Sequence, residues 1–169
     1  MADRAEFSVV ARDRARLWRH IAYLMCGDWA RAEDLVQQAM LRMYTRWHRI
    51  DPGGIDAYAR KVITRLAIDE SRRPYRRYEQ GGELPEVAAH SSSMEDALAV
   101  RDALQQVPPK QRAAIVLRYY QELSVAETAA ALGVSEGTVK SQTARGLATL
   151  RLHLTTGLFE PPQFLTVTE

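Results

Sequence analysis

The chain has 169 residues, of which 46% are hydrophobic and 26% charged, a balance that is typical of a folded protein and excludes a largely disordered one. No apolar run approaches the roughly 18 residues that cross a bilayer, and the N-terminus lacks the apolar stretch of a secretory leader. We therefore expect a cytoplasmic protein without membrane insertion. The net charge is only +2, yet residues 60–77 hold seven basic side chains against Asp69 and Glu70, which favours contact with a polyanion.

Side chains that hold metals or form disulfides are sparse in this sequence. The single cysteine, Cys26, cannot form an internal disulfide, and we expect it to be a buried, small apolar residue. The four histidines are too scattered to indicate a metal site. No motif contains a glycine-rich nucleotide loop or pairs a nucleophile with a base. The sequence therefore predicts a protein that is not an enzyme and needs no cofactor.

Helical periodicity dominates the chain, because apolar residues recur three and four positions apart, and an all-α fold follows. A first helical domain is predicted over residues 6–78. Its three helices cover residues 6–26, residues 30–47 and residues 56 to about 73. Gly27 ends the first helix, Asp28 caps the second, the DPGG turn precedes the third, and Pro74 stops it.

The second helix has two faces of different character. Its apolar face contains Val36, Ala39, Met40, Met43 and Trp47. The opposite side, here called the α2 polar face, contains Asp34, Gln37, Gln38, Leu41 and Arg42. A polar helix face is usually only solvated, so partner binding through this face is the less common of the two interpretations.

The third helix, YARKVITRLAIDESRR, places Lys61, Arg65 and Arg72 at spacings close to one helical face. Arg76 follows at a similar spacing, although Pro74 should break that last step. Tyr58, Val62, Ile63 and Leu66 are predicted to face the bundle. A cationic stripe of this kind fits a phosphate backbone, and Tyr58, Tyr75 and Tyr78 could stack on unpaired bases. A solvated basic face with core tyrosines is an equally good interpretation of this stretch alone.

Periodicity fails after the third helix, and we predict a flexible linker over residues 79–93 because glycine, proline and serine collect there. A second helical domain is predicted over residues 94–154, followed by a tail over residues 155–169. Its helices include one over residues 110–121 after the Pro108-Pro109 pause.

The strongest local signal lies in residues 124–150, SVAETAAALGVSEGTVKSQTARGLATL, which predict a helix-turn-helix. Ser124 and Ser135 cap its two helices, Gly133 permits the turn, and four apolar residues are predicted to pack beneath: Leu132, Val134, Val139 and Leu147. Such a unit brings the start of its second helix to base edges in the major groove. The candidate DNA-binding residues are Ser135, Glu136, Thr138, Lys140, Ser141 and Arg145. A plain helical hairpin is the alternative.

Together these segments resemble the extracytoplasmic-function (ECF) group of RNA polymerase sigma factors, in particular the SigE-like sigma factors of actinobacteria. AEDLVQQAMLRMYTRW looks like the region 2.2 helix, and AYARKVITRLAIDESRR looks like regions 2.3 and 2.4. The segment from ALQQVPPKQR to TVKSQTARGLATLR looks like region 4.

The resemblance implies a sigma factor that binds core RNA polymerase, directs it to promoters and aids DNA opening. The α2 polar face would bind the polymerase β′ clamp, the β subunit would be a further contact, and an anti-sigma factor would be the regulator. Minus-ten DNA would be bound by Tyr58, Lys61, Arg65, Arg72 and Arg73. Minus-thirty-five DNA would be bound by the six candidates of the helix-turn-helix.

A few positions depart from the family pattern. Arg65 stands where an asparagine is common, and Tyr58 stands where a tryptophan is often found. In the last helix Gln142 and Thr143 replace the usual arginine and leucine. Gly146 replaces a usual alanine, which we expect to weaken the helix by about 1 kcal/mol.

Two other functions remain open from the residues alone. A self-sufficient helix-turn-helix repressor or activator would dimerise on a palindromic operator without polymerase. A polymerase-binding adaptor would retain the protein contact but no longer read DNA.

Overall fold

A computed structural model describes residues 2–72 and 94–155, and every regular element in these two stretches is helical. The helices are α1 (Ala2–Cys26), α2 (Trp29–Tyr44), α3 (Ile55–Ser71), α4 (Met94–Gln106), α5 (Pro109–Ile115), α6 (Val125–Leu132) and α7 (Glu136–Thr155). The chain forms two compact units, one containing α1 to α3 and the other containing α4, α5, most of α6 and α7. The all-α prediction with two helical domains is confirmed. The predicted linker and the tail beyond Thr155 lie outside the described residues.

The junction between α1 and α2 follows the sequence signals closely. Gly27 has a φ of 74°, the left-handed conformation that ends helices and that glycine adopts without strain. Asp28 is the N-cap of α2, since its side chain accepts a hydrogen bond of 2.8 Å from the backbone N–H of Arg31. Cys26 at this junction is half-buried, and its thiol donates to the backbone oxygen of Asp28 at 3.2 Å. Burial raises the pKa of the Cys26 thiol to about 11.

Three helices of the first unit enclose a core of apolar side chains. The largest fully buried ones are Trp18 and Ile21 of α1, Val36 and Met43 of α2, and Ile63 of α3. Val36, Met43 and Ile63 come from the predicted apolar faces of α2 and α3. Burying such residues is the main stabilising term of a small bundle.

Polar contacts fix the helices of the first unit at specific positions. Asp56 at the start of α3 forms an ion pair with Arg14 and accepts a hydrogen bond of 3.2 Å from Trp18 Nε1. Arg31 of α2 and Glu70 of α3 form a second ion pair at 3.2 Å. α1 is therefore tied to the first turn of α3, and α2 to its last turn.

Several predicted helix ends differ from the structure by a few residues. α1 begins at Ala2, and α2 ends at Tyr44, not at Trp47. Trp47 instead starts a short 3₁₀ turn, Trp47–Arg49, yet its ring is still buried. A second 3₁₀ turn, Pro52–Gly54, occupies the predicted DPGG turn.

In the second unit, Arg112 of the VPPKQR segment explains that motif. Its side chain is only 9% exposed, and its guanidinium donates to Gln105 Oε1 at 2.7 Å. The same guanidinium donates to the backbone oxygens of Gln105 at 2.9 Å and Val107 at 3.0 Å. Because the last carbonyls of a helix have no intrahelical partner, Arg112 caps the end of α4 from the first turns of α5. Pro109 at the first position of α5 suits a helix start.

The helix predicted over residues 110–121 is not a continuous α-helix. α5 ends at Ile115 and continues as a π-helical turn, Val116–Tyr120, in which Gln121 N donates to Val116 O at 3.0 Å. Glu122 then has a φ of 52°, an uncommon value for a residue with a side chain. Arg118 donates to the backbone oxygen of Leu123, which fixes the turn before α6.

Candidate nucleic-acid and partner interfaces

The helix-turn-helix is built by local hydrogen bonds that its sequence supplies. Ser124 Oγ accepts from Glu127 N at 3.1 Å while Glu127 Oε2 accepts from Ser124 N at 2.7 Å, a reciprocal capping box at the start of α6. Gly133 has a φ of 68° in the turn. Ser135 Oγ then accepts from Thr138 N at 3.1 Å and caps α7. The predicted caps and turn of this segment are confirmed.

The packing beneath the helix-turn-helix agrees with the sequence except at its turn. Val139 and Leu147 are buried, and Leu132 is half-buried. Val134 was predicted to pack with them, but it is 40% exposed. It follows the left-handed Gly133 directly, and the turn directs it to solvent.

The outward face of α7 separates into two groups of polar residues. The hydroxyl groups make local bonds, since Ser135 Oγ and Thr138 Oγ1 lie 2.9 Å apart and Ser141 Oγ donates to Thr138 O at 3.0 Å. The charged side chains Glu136, Lys140 and Arg145 are exposed. Five of the six predicted DNA-binding residues therefore lie on α7 and Ser135 caps it, with Thr138 half-buried and the other five exposed.

The α2 polar face is exposed along its whole length, since all five of its residues are exposed and Leu41 is 68% exposed. Tyr44, one turn after Leu41, is 45% exposed and packs against Phe7, with ring centroids 5.3 Å apart. Sequence reasoning missed Tyr44, although its position three residues after Leu41 places it on the same side. The exposed aliphatic and aromatic pair gives this face the apolar centre that protein interfaces commonly have.

A basic groove lies between the end of α2 and α3. It has a volume of about 430 Å³ and is lined by Arg42, Thr45, Arg46, Tyr58, Lys61, Val62 and Arg65. Arg46 Nη1 donates to Tyr58 Oη at 3.2 Å, so the tyrosine forms part of the groove wall and not of the bundle core. Three of the predicted minus-ten residues thus come together here. Arg72 is exposed at the end of α3, and Arg73 lies outside the described residues.

Arg46 was not among the residues singled out from the sequence. Its only sequence signal is the spacing of four residues from Arg42, which brings both side chains to one side of the chain as α2 ends. In the part of the chain that the structure describes, no three His, Cys, Asp or Glu side chains could hold a metal ion. Nor does that part contain a helix long and apolar enough to cross a membrane.

Comparison with known families and proteins identifies both units. Residues 10–77 match the sigma-70 region 2 family, and residues 97–150 match the sigma-70 region 4 family. The RNA polymerase sigma-E factor of Streptomyces coelicolor is 36% identical over 162 residues, covering 91% of this chain and 89% of the relative. The ECF RNA polymerase sigma factor SigM of Mycobacterium tuberculosis is 34% identical, covering 92% and 82%.

The fold agrees with a solved structure of the sigma factor RpoE from Bartonella quintana, crystallised with the anti-sigma factor NepR. The TM-score is 0.72 at 21% identity, covering 90% of this chain and 98% of the other. Two helical units with a helix-turn-helix in the second, matched to these families, define a transcription initiation factor and not an enzyme. The chain belongs to the ECF group of the sigma-70 family, whose members bind RNA polymerase and direct it to promoters. The alternative of a self-sufficient operator-binding regulator would leave the match of residues 10–77 to sigma-70 region 2 unexplained.

Proposed function

We propose that the α2 polar face binds the clamp of the polymerase β′ subunit, and that α3 and α7 bind the minus-ten and minus-thirty-five promoter elements. The exposed α2 polar face, backed by buried Val36, Ala39 and Met43, is the observation that carries the polymerase contact. A face that exposes leucine and tyrosine among amides and charges is suited to a protein partner. The β subunit is proposed as a further contact.

For the minus-ten element, the proposal rests on Tyr58, Lys61 and Arg65 lining one groove of α3, with Arg72 exposed at its end. Cationic side chains beside an aromatic ring are suited to an unpaired DNA strand, because the cations can pair with its phosphates and the ring can stack on an exposed base. Substituting Lys61 and Arg65 by glutamine should slow promoter opening more than closed-complex formation. Permanganate reactivity of thymines near the start site measures opening, and normal reactivity in the double variant would contradict this assignment.

For the minus-thirty-five element, the proposal rests on the six candidates of α7 and its cap, of which Glu136, Lys140 and Arg145 present charged groups to solvent. Side chains at the start of such a helix reach base edges, and later cations reach phosphates. The three hydroxyl groups of this set, on Ser135, Thr138 and Ser141, already make the local hydrogen bonds described above. Any hydrogen bond that they form with DNA is additional to these.

Regulation by an anti-sigma factor that covers these surfaces is proposed from the family, and the RpoE structure was solved with one such factor. Because RNA polymerase acts on DNA in the cytoplasm, that compartment is the proposed location.

In vitro transcription from genomic DNA with core polymerase, with and without this protein, tests the whole proposal. Discrete start sites should appear only when the protein is added. Identical transcripts in both reactions would overturn it.

Binding of core polymerase by variants of the α2 polar face tests the clamp contact. Asp34→Lys and Leu41→Ala should each weaken binding by roughly tenfold or more if these residues lie at the centre of an interface. Arg12→Gln on the exposed side of α1 is the control and should bind normally. Undiminished co-purification of an Asp34→Lys and Leu41→Ala double variant would show that polymerase binds elsewhere.

A further inference from the structure

Lysine is rare in this chain, and one of the few lysines has an unusual setting. Only three of the 23 Lys and Arg side chains are lysines: Lys61, Lys110 and Lys140. Lys110 and Lys140 are exposed, whereas Lys61 is half-buried and lines the basic groove. The lysine amine, unlike the arginine guanidinium, is a ready target of acylation, and acylation removes its charge. Lys61 is therefore the one groove cation whose charge this modification can remove.

We propose that Lys61 is an acylation site and that its donor is an acyl phosphate, a small anion in which an acyl carbon is joined to a phosphate oxygen. In the reaction, the Nζ lone pair of the neutral amine attacks the carbonyl carbon and forms a C–N bond. The bond between that carbon and the phosphate oxygen breaks, inorganic phosphate leaves, and the amine proton passes to water. The consequence for promoter opening rests on the proposed minus-ten contact, which the proposal deepens by adding its regulation.

Three arginines of the groove can hold the phosphate of such a donor beside the amine. They are Arg42, Arg46 and Arg65. None of the three has a carboxylate partner within the described residues, and none of the described residues that line the groove is acidic. A concave site lined by one sign of charge concentrates ions of the opposite sign, and guanidinium groups match phosphate oxygens in geometry. The groove should therefore raise the concentration of an anionic donor around Lys61.

The groove also has the size and the walls to admit such a molecule. Its volume of about 430 Å³ lies in the range of roughly 300–1,000 Å³ that is typical of small-molecule sites. Val62 and the half-buried ring of Tyr58 give the groove an apolar part. The hydrogen bond of 3.2 Å from Arg46 Nη1 to Tyr58 Oη fixes this ring at the wall. The acyl group can therefore lie against apolar side chains while its phosphate lies among the arginines.

Acylation of Lys61 should leave the fold intact, because its charge holds no other element in place. The ion pair that joins α2 to α3 uses an arginine, Arg31, with Glu70. Lys61 forms no ion pair within the described residues. Its acylation would thus remove one cation from the proposed minus-ten surface without unfolding α3. The modified protein should show a slope of log strand affinity against log salt that is smaller by about 0.7, the value for one phosphate contact on a single strand.

Mass spectrometry of the full-length protein tests the site, because the rate of acetylation can be followed at each of the three lysines. One reaction uses acetyl phosphate, and a second uses the uncharged N-hydroxysuccinimide ester of acetic acid. With the uncharged ester, the exposed Lys110 and Lys140 should react at least as fast as the half-buried Lys61. With acetyl phosphate the order should invert, and Lys61 should react roughly tenfold faster than either, since electrostatic concentration of an ion is worth that much.

Variants of the groove arginines test whether the groove recruits the donor. Arg42→Gln and Arg46→Gln should slow the reaction of Lys61 with acetyl phosphate and leave its reaction with the uncharged ester unchanged. Arg49→Gln is the matched control, because it removes the same charge from an exposed residue that lies three positions from Arg46 and does not line the groove. It should leave both rates unchanged. The proposal is wrong if the three lysines react in the same order with both donors, or if the control slows the reaction as much as the groove variants do.

The regulatory step is tested on holoenzyme assembled from core polymerase and protein that has been treated with acetyl phosphate beforehand. Treatment should slow promoter opening by the wild-type protein, measured as permanganate reactivity. Lys61→Arg keeps the charge and cannot be acetylated in this way, so treatment should leave its opening rate as it was before. Failure of the proposed function would look different from failure of the site. In that case Lys61 would be acetylated selectively, yet opening by the wild-type protein would not change.

Discussion

Gly146 is buried in α7 at the place where α5 packs against it. A Cβ atom added there would lie 2.7 Å from Ile115 Cδ1, 3.1 Å from Gln111 Cβ and 3.2 Å from the Gln111 backbone oxygen. The expected loss of helix propensity is therefore offset by a close approach of two helices that alanine would prevent. The packing around this position therefore opposes the gain in helix propensity that alanine would bring.

We expect Gly146→Ala to lower the free energy of unfolding by about 1 to 3 kcal/mol, because overpacking at a tight site costs that much. Gly137→Ala in the first turn of the same helix is the matched control, since an added Cβ there meets only Ser135 Oγ at 3.8 Å. It should leave stability unchanged or raise it by up to ~1 kcal/mol. Urea denaturation of both variants measures the difference.

An additional Ile115→Val substitution identifies the atom responsible for the strain. It removes the Cδ1 atom and should restore part of the stability of Gly146→Ala, although Val for Ile alone costs about 0.5 to 1.5 kcal/mol. Equal stability of Gly146→Ala and Gly137→Ala would refute the close-approach explanation.

Cys26 is expected to be an unreactive thiol in the folded protein. Burial raises its pKa from 9.0 to about 11, and only the thiolate reacts with alkylating reagents. Iodoacetamide at about pH 8 should therefore modify the folded protein much more slowly than the protein in urea. Equal rates in the two states would contradict the burial seen here.

The raised pKa of Cys26 also makes the free energy of unfolding depend on pH in the alkaline range. The folded pKa lies above the unfolded one, so the stabilising contribution of the protonated thiol is complete below about pH 9 and is lost between about pH 9 and 11. Cys26→Ala should flatten this part of the pH profile of unfolding.

At the scale of elements, α6 depends on its capping box because it is a helix of only eight residues. Ser124→Ala removes an acceptor for Glu127 N and should lower the free energy of unfolding by about 1 kcal/mol. Ser124→Asp keeps an acceptor and should retain most of the stability. Ser141→Ala, whose hydroxyl bonds only within α7, is the control for stability and should change it by less than about 0.5 kcal/mol.

Urea denaturation monitored by circular dichroism separates these three variants. A Ser124→Ala protein as stable as Ser141→Ala would mean that tertiary packing, not the cap, holds the start of α6.

Helices and caps were predictable because their signals are local. Each cap or turn residue acts within four positions of itself, so both partners of the interaction are visible in a short stretch of sequence. These residues are Gly27, Asp28, Ser124, Gly133 and Ser135. The two faces of α2 were predictable for the same reason, since the helical period of 3.6 residues assigns each position to one face or the other.

Features that depend on distant residues were not predictable from a single sequence. Arg112 caps a helix from the next element, and Gly146 accommodates Ile115, which lies 31 positions earlier. The basic groove joins Arg46 to Tyr58 across the intervening 3₁₀ turns. Each of these contacts depends on how helices pack, and periodicity specifies which face is buried but not which residues meet.

At the scale of the whole molecule, the two proposed promoter-binding surfaces differ in form, since the first unit has a concave basic site and the second has an exposed helix face. In the first unit, three arginines and a lysine line the basic groove together with the Tyr58 ring. In the second unit, α7 presents Glu136, Lys140 and Arg145 along one helix. We therefore expect the groove to bind a strand with little regard to sequence and α7 to select bases, since direct base readout requires side chains at the edges of paired bases.

The base selection proposed for α7 can be tested residue by residue, because Lys140 lies near the start of the helix and Arg145 lies further along. Lys140→Ala should change which minus-thirty-five bases are preferred, with a loss of about 1 to 3 kcal/mol of discrimination if it contacts a base. Arg145→Ala should lower the affinity for all DNA sequences alike. It should also reduce the slope of log affinity against log salt concentration by roughly 0.9, the value for one phosphate contact on duplex DNA. Holoenzyme affinity for a panel of minus-thirty-five variants at several salt concentrations measures both effects. If Lys140→Ala leaves the ranking of the variants unchanged, base reading does not reside at this position of α7, and Glu136 becomes the side chain to test.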